Sequence, residues 1–250
     1  MTNNQTIPLA LDHVYKWEQE KTNDLYLTQP MGNGEVKEYT WGEAVSEARR
    51  MASHLRSLDL PPKSHIALLS KNCAHWIIAD WAIWMAGHVT VPLYPTLNAD
   101  TVSYILEHSE SKLIFVGKLD DWDEMKAGIP EGLPGISFEL SPDEAKQAYP
   151  LWDDITCKAN LMTENTQRDP EEVATIVYTS GSTGKPKGVM QSFKAMAIAA
   201  EGAVESLSIS DQDRMLSYLP LAHVMERFVV EMASTVIGFK LYFADSLDTF

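Results

Sequence analysis

Three short apolar runs at residues 65–69, 89–93 and 112–116 are separated by two stretches of helical periodicity at 74–86 and 100–108. That alternation leaves few folds open. A helix between successive strands carries the chain back to the end it left, so the strands pair in parallel and the helices pack on the sheet. Strands covered on both faces read as continuous apolar runs, as these do. The stretch 74–86, with Ile77, Ile78, Trp81, Trp84 and Met85, is apolar nearly all round and is expected deep between layers, its tryptophans part of the core. Gly87 can stop that helix. The fold class expected is α/β, a layered parallel sheet with helices.

Before this block, Thr40 and Glu43 have capping-box spacing, and Ala44, Val45, Ala48, Met51, Ala52 and Leu55 share one helical face. The helix should end before Pro61 and Pro62. Upstream there is an amphipathic stretch at 11–17 and a turn at Gly32, Asn33 and Gly34, with little other pattern. Residues 119–170, acidic and broken by prolines, read as a surface excursion with one or two short helices. Beyond 190, Phe193, Met196, Ala197, Ala200, Val204 and Leu207 mark a helix, 215–219 a strand, Val224, Met225, Phe228, Val229 and Met232 another helix, and 240–243 a last strand. Arg227 is expected to form an exposed pair with Glu231, one helical turn on.

The chemistry concentrates after another buried-type run, 173–177. Residues 178–190 read Y-T-S-G-S-T-G-K-P-K-G-V-M. Gly181, Gly184 and Gly188 let the backbone approach a ligand, Thr179, Ser180, Ser182 and Thr183 offer hydroxyls, and Lys185 and Lys187 supply charge. Pro186 stiffens the loop. Amides, hydroxyls and ammoniums converging in this way form a polyphosphate cradle. The spacing is not that of a Walker loop, and the unit expected is strand, loop and following helix. With Lys+Arg 20 against Asp+Glu 35 the chain carries a net charge of −15, which repels nucleic acid and makes a local pair of lysines more telling. The 250 residues, 45% apolar, allow one large domain or two small ones. No signal peptide or long apolar span is legible, so a cytoplasmic location is the default, and Cys73 and Cys157 read as reduced thiols.

The 178–190 stretch resembles the signature phosphate loop of the adenylate-forming (AMP-binding) superfamily, which includes acyl-CoA synthetases, luciferases and peptide-synthetase adenylation domains. Ser70, Asn72, Trp76, Ala86, Gly87 and residues 91–97, V-P-L-Y-P-T-L, resemble early blocks of its acyl-CoA synthetase branch. Residues 219–227, L-P-L-A-H-V-M-E-R, resemble the second core motif of the long-chain fatty acyl-CoA synthetases, in which the position of His223 sits beside the acyl carboxylate. An imidazole at a helix start suits that task, and a capping or packing histidine is the alternative. His13, His54, His65, His75, His88 and His108 lack such context. One departure stands out: Gln191, Ser192 and Phe193 occupy the place where the family writes a polar pair and then a histidine.

The resemblance implies two half-reactions, in which a fatty carboxylate displaces pyrophosphate from ATP and the acyl-AMP then passes its acyl group to coenzyme A. It assigns Thr179, Ser180, Gly181, Ser182, Thr183, Gly184 and Lys187 to the phosphates, Thr179 also to Mg²⁺, and His223 to the acyl group. It further implies an incomplete N-terminal part of an adenylation domain, with a first α/β portion at about 40–168 and a phosphate-loop portion at about 171–250. The family's later metal-binding, adenine and ribose blocks and its C-terminal domain are not in the sequence. Another acid-activating member of the superfamily, or a non-catalytic module binding nucleotide or a partner, are the competing readings. The partners expected are small molecules: fatty acid, ATP and CoA. Weak peripheral membrane contact would suit a fatty-acid enzyme, but no basic amphipathic helix supports it. Acyl chain length and oligomeric state have no signature here.

Overall fold

The computed structural model describes residues 7–180 and 185–245. The chain opens with helix α1 (Ala10–Glu20) and a hairpin of β1 (Leu25–Gly32) and β2 (Glu35–Thr40). Helix α2 (Trp41–Ser57) follows, and its capping box is formed: Thr40 Oγ1 accepts the Glu43 N–H at 3.2 Å, and Glu43 Oε2 accepts the Thr40 N–H at 2.8 Å. Thr40→Ala is expected to lower stability by about 1 kcal/mol, read as a drop in the urea midpoint at unchanged slope.

Next come β3 (His65–Leu69), α3 (Ala74–Ala86), β4 (Val89–Leu93), α4 (Ala99–His108) and β5 (Leu113–Val116), the alternation anticipated from the apolar runs. The 119–170 excursion holds more order than its composition announces: α5 (Trp122–Met125), β6 (Gly135–Ser137), α6 (Asp143–Ala148) and α7 (Trp152–Thr156). Strand β6 joins the sheet, and Trp152 is fully buried with its indole N–H on Glu47 at 3.1 Å. Then follow β7 (Val173–Thr179), β8 (Lys187–Ser192), α8 (Phe193–Leu207), β9 (Arg214–Ser217), a helix α9 over residues 224–237, and β10 (Lys240–Phe243). Helix α9 contains a π-helical segment, Arg227–Met232.

Two sheets result. The larger has the order β6-β5-β3-β4-β7-β8, parallel except for β8, which pairs antiparallel with β7. The smaller has the order β2-β1-β10-β9, in which β1 pairs antiparallel with β2 and parallel with β10. Helix α3 is buried along residues 74–85. Trp81 stacks at 5.7 Å on Trp41 and at 5.6 Å on Tyr26, and Trp84 donates its indole N–H to the Ala174 carbonyl at 3.0 Å. Both tryptophans are core, as expected from their spacing. Among the described residues no helix is long and apolar enough to cross a membrane.

Candidate functional site

Parallel strands bring their carboxyl ends, and the loops that leave them, to one edge of a sheet. Thr90 of β4 is in register with Thr175 of β7, so Tyr94 and Thr179, each four residues further on, leave the sheet at the same end of neighbouring strands. The Tyr94 ring lies edge-on to His223, with centroids 6.4 Å apart. Strand order thus gathers the start of the phosphate-loop sequence and the histidine motif at one edge.

The loop does not run straight into a helix, as its sequence led us to expect. Strand β8 intervenes, and Thr179 pairs with Lys187 across the hairpin, so the loop springs from two antiparallel strands with a hydroxyl and an ammonium at its neck. Glycine at 188 has a packing reason. A Cβ there would lie 2.8 Å from the Ile176 side chain and 3.2 Å from the Tyr178 ring. Thr179, Ser180, Lys185 and Lys187 are exposed, and the Lys185 ammonium sits 5.4 Å from the Tyr104 ring centroid. Gly181, Ser182, Thr183 and Gly184 lie outside the described residues. Ser192 caps α8, accepting the Ala195 N–H at 3.2 Å, while Phe193 is buried edge-on against Trp84 at 5.5 Å. The position at which the resemblance departs therefore belongs to the core here.

The strand order of the larger sheet reverses between β3 and β5, which themselves run parallel, and ligands in open α/β sheets bind outside the carboxyl ends at such a point. A cavity of about 190 Å³ lies there, lined by Lys71 and Asn72 after β3, Lys118 and Asp121 after β5, and Tyr218 and Asp245 from the second sheet. Burial, then the neighbouring Lys71 charge, lowers the Lys118 pKa. Asn72 ties the sheets together: its amide donates to Ser217 Oγ at 2.8 Å and to the Leu219 carbonyl, and its oxygen accepts the Leu221 N–H at 2.8 Å. These bonds fix the loop that delivers His223.

His223 is the N-cap of α9. Its Nδ1 accepts the Met225 N–H at 3.2 Å, which in the neutral ring puts the proton on Nε2. The side chain is exposed. One imidazole thus caps the helix with one nitrogen and leaves the other as a hydrogen-bond donor, a combination suited to a carboxylate or acyl-phosphate oxygen.

Arg227 overturns its expectation. Arg227, Glu231 and Asp80 of α3 all have fully buried side chains, because α9 lays this face against α3 and not toward water. The main partner is Asp80, whose Oδ2 accepts from Arg227 Nη2 at 2.6 Å; Glu231 is 3.7 Å from Nε, beyond hydrogen-bond range. Thr90 donates to the other Asp80 oxygen, and the guanidinium lies 5.0 Å from the Trp76 ring and 5.7 Å from that of Trp84. Burial pushes the Glu231 carboxyl well above its ordinary range, against the opposing pull of Arg227. The unfolded chain therefore ionises Glu231 first, so its contribution is intact below about pH 4.5 and is lost as pH rises toward the folded pKa. Glu231→Gln should escape that loss. Its stability relative to the parent is expected to climb between about pH 5 and pH 8, in paired urea titrations.

Sequence reasoning singled out His223 and the loop but gave no role to Tyr94 or Asp80, which the structure brings to His223 and Arg227. Asp80 did carry a signal, a lone carboxylate in the middle of an otherwise apolar helix, which requires a buried partner.

The family model described as AMP-binding enzyme matches residues 15–250. Long chain acyl-CoA synthetase 5 of Arabidopsis thaliana is 30% identical over 241 residues, covering 88% of this chain and 36% of the relative. Long chain acyl-CoA synthetase 2 of the same plant is 32% identical, covering 92% and 39%, and fatty acyl-CoA synthetase A of Dictyostelium discoideum is 31% identical, covering 92% and 36%. The chain thus spans well under half the length of these relatives. Among solved structures, an anthranilate CoA ligase in complex with anthranoyl-AMP superposes with a TM-score of 0.83 at 19% identity, over 96% of this chain and 45% of that one. A benzoate CoA ligase from Burkholderia xenovorans gives 0.81 at 19% identity, over 95% and 46%. These likenesses establish the fold as that of the N-terminal region of adenylate-forming enzymes.

Proposed function

This chain belongs to the AMP-binding enzyme family, and from that premise we propose that it forms the phosphate- and acyl-facing part of a ligase that activates a long-chain fatty acid with ATP and transfers it to coenzyme A. The observation that carries the reading is the gathering of Thr179, Lys187, Tyr94 and His223 at the carboxyl ends of β4 and β7. The names of these relatives, long chain and fatty acyl-CoA synthetases, support fatty acids as the substrate class.

In this reading the carboxylate oxygen attacks the α-phosphate and pyrophosphate leaves; the coenzyme A thiolate then attacks the acyl carbonyl and AMP leaves. Nucleotidyl transfer of this kind depends mostly on positioning and on offsetting charge. Thr179, Ser180, Ser182 and Thr183 with the amides of Gly181 and Gly184 hold the β and γ phosphates, and Lys187 offsets the charge gathering on pyrophosphate. His223 donates from Nε2 to the acyl carboxylate and steadies it for attack. Exposed hydroxyls at the loop neck are hard oxygen donors of the kind Mg²⁺ takes, and Thr179 would hold it; the ion neutralises phosphate charge when bound.

Lys187→Ala is expected to weaken ATP binding about 10- to 100-fold, the loss of one charge-assisted contact. Calorimetric titration of parent and variant with Mg-ATP checks this, and equal affinities would remove the cradle from the account. The whole reading is tested by ATP–pyrophosphate exchange dependent on a long-chain fatty acid, run beside aryl and amino acids with this chain joined to the family's later blocks. Exchange supported by an aryl acid and not by a fatty acid would reassign the substrate class.

A further inference from the structure

We propose that Arg227 is a positioning residue: anchored on Asp80, it fixes the first turn of α9 and with it the tautomer and aim of the His223 imidazole. The functional meaning of this inference rests on the reading of His223 as the acyl-facing donor; the geometry does not.

The contacts form a closed circuit. Arg227 N–H donates to the His223 carbonyl at 3.0 Å, the first backbone bond of the helix that His223 caps. The Arg227 guanidinium is bonded to Asp80 of α3, and Asp80 is bonded to Thr90 of β4. Four residues beyond Thr90 stands Tyr94, whose ring meets His223. From β4 the path runs through Asp80 and Arg227 to His223 and returns through Tyr94 to β4. Nothing else near holds the imidazole so firmly, since its side chain is exposed and its one bond among the described residues is the 3.2 Å cap.

The backbone gives the anchor a reason to be ionic. Arg227 opens the π-helical segment, which accommodates one residue more than an α-turn. A slip of this segment into α register would turn everything on its N-terminal side by about 100°, the rotation of one residue. Apolar side chains on α9 would tolerate either register. A buried charge-assisted bond from Arg227 Nη2 to Asp80 Oδ2, flanked by Trp76 and Trp84, accepts only one. Two guanidinium nitrogens, Nε and Nη1, lack hydrogen-bond partners among the described residues, so the arrangement is not the one that best satisfies the arginine. It is one that holds the arginine to α3.

The test reads the imidazole directly. Nitrogen-15 spectra of the histidines in the labelled chain are recorded at about pH 8, where an ordinary histidine is neutral, and His223 is assigned by the signals missing in His223→Gln. The parent should show an acceptor-type Nδ1 and a protonated Nε2. In Arg227→Met the two signals should move toward each other as tautomers mix, and Arg227→Lys, which keeps the charge but loses the planar guanidinium between the tryptophans, should fall between. Thr90→Val, which frees one Asp80 oxygen, supplies a milder lesion should Arg227→Met fail to fold, and it should shift the signals in the same direction. Unfolding midpoints are taken alongside. Unchanged His223 signals in Arg227→Lys and Thr90→Val, whatever happens to the midpoints, would reduce Arg227 to a structural residue and overturn the proposal. No substrate enters this readout, so unchanged Mg-ATP affinity in Lys187→Ala beside shifted His223 signals would count against the phosphate-cradle reading alone.

Discussion

Asp80→Ala is expected to destabilise the protein by about 3–5 kcal/mol, because it leaves the Arg227 guanidinium unpaired in a fully buried site. Glu231 stands 3.7 Å away and can answer by losing its proton, which places the loss toward the lower end of that range. The cost belongs to the stranded charge and not to the worth of the pair. Removing both partners in Asp80→Ala with Arg227→Met should therefore recover most of it, since apolar replacements of buried ion pairs are often neutral or better. Urea unfolding of the two single variants and the double variant measures this as a coupling energy. A single-variant loss under about 1 kcal/mol would mean that water reaches this cluster.

Gly117→Ala should cost about 2–3 kcal/mol, a large effect for one methyl group. Its Cβ would lie 2.2 Å from Ser70 Oγ and 2.6 Å from both Ser70 Cβ and the Phe138 ring. Turning the serine hydroxyl away relieves the first contact but not the other two, so the loops after β3 and β5 must part. Those loops carry Lys71 and Lys118, which flank the cavity at the switch point. Urea unfolding of the variant beside the parent reads the loss. Unchanged stability would show that the two loops yield freely.

The larger sheet was legible because its strands declare themselves locally. Each of the runs at 65–69, 89–93 and 113–116 is covered on both faces, so burial is written into nearly every residue. The β1–β2 hairpin was not legible: β2 is an edge strand, mostly exposed, and Lys37 and Glu38 give it a surface composition. Strand β8 hid for a similar reason, with Gly188 inside it and Val189 and Met190 exposed. At the site, helical spacing linked Arg227 to Glu231 but showed neither its burial nor its main partner. Spacing along one helix cannot say what lies across from it. The approach of α3, which buries that pair and brings in Asp80, is a tertiary fact, as is the meeting of Tyr94 with His223.

The pairing of β1 with β10 sets an order of events. Strand β1 is made early, but its parallel neighbour follows all six strands that the described residues give to the larger sheet. Closing so long a loop is slow, and until it closes β1 offers one unpaired edge to whatever strand comes near. The nascent chain can pair β3 to β8 while the smaller sheet remains half built. Because the switch-point cavity takes residues from both, this pocket cannot form before β10 docks. A ligand that engages it would bind only chains in which β10 has docked, and so would draw them out of the aggregation-prone pool.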